Sequence, residues 1–185
     1  MKQVKLNIGS GKTYLKGWIN VDNNKSVKAD VYADITKKLP FKSNYTDLIL
    51  LDNVLEHVTP EKYFKFLEEL HRVCKPGARI IIYVPHFSGM YATKHATHYN
   101  CFGIGSFDIF RPEGTFNGER YSKARFELVS ERLLFFHHKL QSMKFLSKLP
   151  INWLFNCCRT CQLLCERFQI FNFDEIKYQL SVVKS

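Results

Sequence analysis

The residues best suited to chemistry follow short apolar runs in the first 87 positions. Gly9-Ser10-Gly11 comes after one run, Asp22 after a second and Asp34 after a third. Glycines let a backbone turn tightly and approach a ligand closely, and a carboxylate after the next strand can accept both hydroxyls of a ribose. The set therefore predicts a nucleoside site at one edge of a sheet.

A dinucleotide fingerprint would carry a third glycine, but the sequence has Tyr14 at that place. The third glycine lets a helix pack tightly beneath a pyrophosphate. Its absence argues against NAD or FAD and favours a nucleoside that has no diphosphate.

Hydrophobic patterning predicts the elements that position these residues. Alternation of strands with a helix at 60–74 indicates an α/β fold with a mainly parallel sheet and right-handed crossovers. Two later strands are expected to add an antiparallel edge. The predicted strands span 4–8, 18–21, 31–33, 48–51, 79–84, 126–136 and 176–183.

In order and spacing, seven motifs resemble those of the class I S-adenosylmethionine-dependent methyltransferases, most closely the small free-standing members grouped as type 11. The motifs are Leu6-Asn7-Ile8-Gly9-Ser10-Gly11, Gly17-Trp18-Ile19-Asn20-Val21-Asp22, Asp34-Ile35, Leu39-Pro40-Phe41, Asp47-Leu48-Ile49, Asn53-Val54-Leu55-Glu56-His57 and Arg72-Val73-Cys74-Lys75-Pro76-Gly77. The resemblance implies a Rossmann-like, seven-stranded methyltransferase fold. A helical insertion at 139–175 is expected to separate the last two strands, which most class I relatives join tightly. Many relatives carry a helix before the first strand, so another segment is expected to cover the cofactor here.

The resemblance also implies S-adenosylmethionine as cofactor and a role for each matching residue. Its methionine part would lie beside the glycine turn and its ribose beside Asp22. The family usually has an acidic residue where Asn7 stands, and Asn7 would accept a hydrogen bond from the ammonium without adding charge. The implied cofactor-binding residues are Asn7, Gly9, Ser10, Gly11, Asp22, Asp34, Ile35, Asn53 and His57.

Methyl transfer from a sulfonium depends mainly on positioning, and a general base is needed only when the acceptor arrives protonated. The candidate bases are His57, His86, His95 and His98, with Tyr91 beside them. Hydrogen bonding that holds the loop in shape is the structural alternative for the loop histidines.

Metal binding is weighed for two groups and favoured for neither. His86, His95 and His98 could converge on zinc, but no cysteine pair or nearby carboxylate completes a ligand set. Cys157, Cys161 and Cys165 follow Trp153 at four-residue spacing, which indicates an apolar stripe on a helix over 145–171 rather than a metal centre.

Length and composition limit the remaining possibilities. With 185 residues, 45% of them apolar, the chain suits one domain, 1–185. It would comprise a cofactor-binding core at 1–87, a substrate loop region at 88–125 and a helical insertion at 139–175. No membrane-spanning run or signal peptide is recognised, so the six cysteines are expected to be reduced thiols in a cytoplasmic protein.

The charge balance bears on the acceptor. Lys and Arg number 27 against 17 Asp and Glu, a net charge of +10, which favours an acidic or saccharide-linked small molecule. Nucleic acid is a weaker alternative because the lysines are scattered. Three further alternatives stay open: protein methylation, membrane contact through the insertion, and a non-catalytic relative that binds a nucleoside or a partner.

Overall fold

The computed structural model describes residues 3–115, 119–134, 153, 155–168 and 172–184. Within these ranges the strands form one seven-stranded sheet of order β3-β2-β1-β4-β5-β7-β6. The strands are β1 Lys5–Ile8, β2 Ile19–Asp22, β3 Val31–Tyr32, β4 Thr46–Asp52, β5 Cys74–Pro85, β6 Phe126–Leu134 and β7 Glu175–Val182.

The strand directions confirm the expected fold class. β1 to β5 are mutually parallel, whereas β7 runs antiparallel to both β5 and β6. The sheet is thus mainly parallel and Rossmann-like with an antiparallel edge, as predicted.

The core lies between the sheet and helix α1, Pro60–Val73. Alternate residues of the central strands are fully buried, as the two-residue strand period requires. Helix α1 begins with Pro60, which suits a position whose N–H has no helical partner. The buried residues shared by these elements are Leu6, Ile8, Ile49, Leu51, Ile80, Ile82 and Val84 from the sheet and Phe66, Leu67, Leu70 and Val73 from the helix.

β5 begins earlier than the sequence pattern predicts. The helix ends at Val73, and Cys74 already pairs with Thr46, so Pro76 and Gly77 lie inside the strand instead of preceding it. The pairing shifts register between Thr46 and Leu48, an irregularity that accommodates the proline.

The segment 86–125 has the short helical turns expected of it. Helix α2 spans Met90–Lys94, and a 3₁₀ turn spans Asp108–Phe110. Phe102, Phe107 and Phe110 are buried and join the main core. The segment is therefore anchored by aromatic side chains, although it has little regular structure.

The apolar stripe predicted in the insertion is wrong at Trp153 and Cys157. The described helix, α3, spans only Arg159–Phe168, and residues 145–152, 154 and 169–171 of the predicted helix lie outside the described residues. Trp153 is 71% exposed and Cys157 is exposed, while Cys165 is buried. Because the chain leaves helical geometry before Arg159, the four-residue spacing does not continue along one face.

In the described ranges, no helix is both long enough and apolar enough to span a membrane.

His86, one of the predicted bases, connects α3 to the end of β5. Its ring is fully buried, with Nε2 2.7 Å from Glu166 Oε1 and Nδ1 2.8 Å from Ser88 Oγ. Glu166 Oε1 also accepts the Ile104 N–H at 2.7 Å. Both ring nitrogens are thus used within the protein, which favours a structural role for His86 over that of a base.

Replacing Glu166 with Ala should destabilise the fold, since it removes the acceptor that serves the buried His86 ring and the partly buried Ile104 N–H. We expect the free energy of unfolding to fall by about 1–3 kcal/mol, measured by urea denaturation. The matched control is Glu127→Ala at an exposed position of β6, expected to change stability by no more than about 0.5 kcal/mol. Equal losses in the two variants would contradict this role.

Candidate functional site

A cavity of about 620 Å³ opens at the carboxyl edge of the parallel strands. In open α/β sheets ligands bind at this edge, and the volume is in the range of small-molecule sites. Its walls come from the turn after β1, the ends of β4 and β5, the segment around α2 and the start of β7. The predicted site residues in its lining are Gly9, Ser10, Gly11, Asn53, His57, His95 and His98.

The turn after β1 is shaped by glycine. Gly9 and Gly11 have φ of 69° and 50°, in the left-handed region that favours glycine. A Cβ on Gly9 would lie 2.5 Å from Val54 Cγ2, so this position has no room for a side chain. Ser10 Oγ, next to it, is buried and has no hydrogen-bond partner among the described residues. The turn therefore offers open backbone at Gly11, where a Cβ would meet no atom within 4 Å, and an unused polar atom at Ser10.

Asp22, at the end of β2, is fastened to this turn. One carboxylate oxygen accepts the Gly11 N–H at 2.7 Å and the other accepts the Asn24 N–H at 2.8 Å. Each oxygen retains a further lone pair. Asp22 is nearly buried and lies outside the lining of the cavity. It is held in a fixed orientation next to the cavity wall.

The side chain of Asn7 connects β1 to the turn that follows it and to β2. Its side-chain nitrogen donates to Thr13 O at 2.9 Å and to Asn20 Oδ1 at 3.0 Å. Asn7 is 3% exposed and is not part of the cavity lining. These contacts favour a role in holding the loop over direct contact with a ligand.

Asp34 and Ile35 lie further along the same edge, after β3. Asp34 Oδ1 accepts from the Thr36 N–H and hydroxyl at 2.9 and 2.7 Å, and these bonds lower the pKa of the carboxyl. Ile35 packs partly buried against the core. Neither residue lines the cavity, so their contact with an adenine stays a prediction.

The acidic residue Glu56 was not singled out from the sequence. It lies in the 3₁₀ turn Leu55–His57 and is 1% exposed, and neither carboxylate oxygen has a hydrogen-bond partner in the described part of the chain. Burial, together with the charges of Asp52 and Glu175, raises the pKa of Glu56 to about 8. A buried carboxylate without a partner lines the cavity at this point.

Two histidines lie beside Glu56. The rings of His57 and His98 are 4.7 Å apart at their centroids, and His95 is 5.1 Å from His98. Nδ1 of His57 faces Thr97 O at 3.1 Å. Nδ1 of His98 faces a backbone carbonyl at 3.3 Å, and burial, reinforced by the charge of His57, lowers the pKa of His98. Three of the four predicted bases are thus brought together at the cavity, and His86 is not.

Hydrogen bonds to backbone carbonyls fix the loop of His95 and His98 to the turn that carries Glu56. The Tyr99 N–H donates to Glu56 O at 2.7 Å, and Asn100 Nδ2 donates to Leu55 O and Val58 O at 2.9 and 2.6 Å. The distance between the two segments is therefore set by the protein itself.

Asn53 and the start of β7 complete the site. Asn53 has a positive φ of 54°, which asparagine tolerates better than most residues, and it donates to Asp52 Oδ1 at 2.9 Å. Asp174 and Glu175 line the cavity because β7 is antiparallel and starts at this edge. Sequence reasoning missed them, since it predicted the antiparallel direction of β7 but not its pairing with β5.

The electrostatic character of the cavity differs from that of the whole chain. Its described lining has four carboxylates, on Asp52, Glu56, Asp174 and Glu175, and a single lysine, Lys12. This lining does not favour the acidic acceptor expected from the net charge, because a negative ligand would be placed among negative groups. The excess of basic residues lies elsewhere on the protein.

Comparison with known proteins adds a family match. Residues 13–82 match a family model described as a methyltransferase domain. An uncharacterized protein of Methanocaldococcus jannaschii is 48% identical over 46 residues, which cover 25% of this chain. The match spans 19% of that relative, about a fifth of its length.

Solved structures share the fold. A SAM-dependent methyltransferase from Archaeoglobus fulgidus aligns with a TM-score of 0.57 and 17% identity, covering 97% of this chain and 86% of that one. The Burkholderia thailandensis 1,6-didemethyltoxoflavin-N1-methyltransferase, solved with 1,6-didemethyltoxoflavin and S-adenosylhomocysteine, aligns at 0.56 and 13%, covering 98% and 72% of the two chains. At these identities the likeness shows the fold.

The raised pKa of Glu56 predicts a pH-dependent stability. Between its ordinary value of 4.5 and about 8 the folded protein binds more protons at Glu56 than the unfolded chain does, so stability falls as pH rises through this window. Glu56→Gln removes the effect, and its melting temperature in metal-free buffer should rise relative to the parent protein from pH 5 to pH 8.5. Glu61→Gln, exposed on α1, is the control and should show a constant difference. A flat difference for Glu56→Gln would contradict the prediction.

Proposed function

We propose that this chain is a class I S-adenosylmethionine-dependent methyltransferase, which binds S-adenosylmethionine at the carboxyl edge and methylates a small molecule. The match of residues 13–82 to a methyltransferase family model and the shared fold support this proposal. The observation that carries this proposal is the turn after β1. Gly9 and Gly11 line the cavity, and a Cβ on Gly11 would meet no atom within 4 Å, so a ligand can approach the backbone there. At Gly9 the corresponding space is filled by Val54, so a side chain there would displace the turn. The adjacent Ser10 Oγ offers an unused polar atom.

The residues present fit this cofactor. The fixed carboxylate of Asp22 has lone pairs left for ribose hydroxyls. The cofactor carries a sulfonium and an ammonium against one carboxylate, and the acidic lining around Glu56 suits that net positive charge. When bound, S-adenosylmethionine supplies an electrophilic methyl group.

The protein's own contribution is positioning. The glycine turn sets the cofactor's place, and the loop that carries His95 and His98 forms the facing wall. His57, His95 and His98 remain the base candidates because they line the cavity, whereas His86 is enclosed by Glu166 and Ser88. A base among them would take the acceptor's proton while the acceptor's lone pair forms the new bond to carbon.

The acceptor proposed here is small and either neutral or cationic. The cavity of about 620 Å³ must hold both the cofactor's reactive end and the acceptor, which argues against a bulky ligand. The carboxylates of Asp174 and Glu175 at its wall favour a group without negative charge. An amine or a hydroxyl compound satisfies both conditions.

Asp22→Ala should weaken S-adenosylmethionine binding at least about tenfold, because it removes a charged hydrogen-bond acceptor from the ribose. Calorimetric titration measures the dissociation constant, and transfer of tritiated methyl into metabolite, RNA and protein pools measures turnover. Asp47→Ala is the control, since Asp47 also accepts a backbone N–H, that of Val4 at 2.8 Å, but at the opposite end of β4. Its dissociation constant should stay within about twofold of the parent value.

Unchanged binding in Asp22→Ala would overturn the ribose contact. Incorporation into RNA or protein alone would replace the small-molecule acceptor with a macromolecule. Binding without incorporation into any pool would favour a non-catalytic relative.

Gly9→Ala and Gly77→Ala separate steric exclusion from backbone strain. Both glycines have positive φ, 69° and 73°, so alanine costs about 1–2 kcal/mol of stability at either position. A Cβ on Gly77 would meet no atom within 4 Å, whereas one on Gly9 collides with Val54. Calorimetry should therefore show cofactor binding at least about tenfold weaker for Gly9→Ala and nearly unchanged for Gly77→Ala. Equal binding by both variants would remove the turn from the site.

A further inference from the structure

Three metal-ligating side chains converge at the cavity. Glu56, His57 and His98 each offer one donor atom, and these atoms lie within 4.8 Å of one another. Glu56 is 1% exposed, and both of its oxygens lack a hydrogen-bond partner among the described residues. A buried carboxylate of this kind is costly unless a cation or a proton neutralises it.

The hydrogen bonds of the two histidines leave suitable lone pairs. Nδ1 of His57 lies 3.1 Å from Thr97 O, and Nδ1 of His98 lies 3.3 Å from Ala92 O. A carbonyl only accepts, so each Nδ1 carries the hydrogen and each Nε2 keeps a lone pair. Metal-binding histidines show this arrangement, in which one ring nitrogen donates to a backbone carbonyl and the other binds the ion.

We infer that Glu56, His57 and His98 bind a divalent transition-metal ion of the zinc type. Two imidazoles and one carboxylate suit zinc, whereas magnesium and calcium prefer oxygen ligands alone. Three protein ligands leave a fourth tetrahedral position open, as in catalytic rather than structural zinc sites.

The site is preformed to a useful degree. Bonds of about 2.1 Å place tetrahedral donors about 3.4 Å apart, so the observed limit of 4.8 Å requires only a modest side-chain adjustment. The His57 side chain is exposed and has room to move. Hydrogen bonds from the Tyr99 N–H and the Asn100 side-chain amide hold the two ligand-bearing segments together.

The site replaces the zinc set considered from the sequence. His86 faces Glu166 inside the protein, and Glu56 supplies the carboxylate that the sequence pattern lacked. The fourth position would take water or an oxygen of the acceptor, whose proton the ion would make easier to remove. That role toward an acceptor rests on the proposed methyl transfer, whereas metal binding does not.

Cobalt(II) titration of the metal-free protein tests the inference, with absorption spectroscopy as readout. Because Cys157, Cys158 and Cys161 also cluster, the titration uses a Cys158→Ser, Cys161→Ser background, which removes thiolate-to-metal charge-transfer bands. We expect one equivalent to bind with the intense visible bands of a tetrahedral site. Glu56→Gln and His98→Gln should each weaken binding at least about 100-fold, more than the loss of an outer hydrogen-bonding partner.

His95→Gln is the matched control. His95 lines the same cavity but is not among the three clustered ligands, so cobalt binding should stay within about threefold. Melting curves confirm that each variant is folded, and His98→Gln keeps the test valid if Glu56→Gln alters stability. Absence of a tetrahedral spectrum, or equal binding by all variants, would overturn the site.

S-adenosylmethionine binding measured in chelator forms a separate arm. If the chelated protein binds S-adenosylmethionine but the cobalt titration finds no metal site, this inference is rejected and the proposed function stands. If the protein binds cobalt at this site but does not bind S-adenosylmethionine, the metal inference is supported and the proposed function is rejected.

Discussion

One backbone carbonyl determines the geometry of the site. Val21 O accepts the N–H groups of both Gly9 and Ser10, at 2.8 and 3.0 Å, so the β1–β2 pairing continues beyond the end of β1. Because one carbonyl accepts two successive N–H groups, the chain bends at a position where only glycine fits. The bend brings the Gly11 N–H to Asp22. The cavity wall formed by Gly9, Ser10 and Gly11 and the contact between Gly11 and Asp22 follow from this bend.

Charge is separated between the surface and the cavity. The chain carries a net +10, yet the cavity lining is dominated by carboxylates on β4, β7 and the turn at Glu56. Such a site attracts cationic groups locally, while the overall field attracts anions to other faces. Net charge therefore describes the surface of this protein and is a poor guide to its ligand.

What the sequence could predict was mostly local. Gly9, Asp22 and the strand pattern depend on turns and strands close in the chain, and the fold class followed from them. Glu56 could not be identified, because its burial depends on β7 and on the loop after α2. The stripe of Trp153 and Cys157 failed since helical spacing assumes a continuous helix, and the chain leaves that geometry before α3. The sequence could not separate His86 from His57 as base candidates, because their hydrogen-bond partners, Glu166 and Ser88 for His86 and Thr97 O for His57, depend on the tertiary structure.

The buried carboxylate of Glu56 also separates two sources of positive charge. The sulfonium of the cofactor could neutralise the Glu56 carboxylate through space. A sulfonium has no vacant orbital, however, that could accept an imidazole lone pair. Without an ion, the two histidines whose Nδ1 atoms face carbonyls would serve only as base candidates or hold the loop in shape. A metal ion would use the carboxylate and a lone pair of each imidazole together, and it would add an open position for an acceptor oxygen. The combination of ligands, more than the acidity alone, favours a bound ion at this wall and the cofactor at the glycine turn opposite.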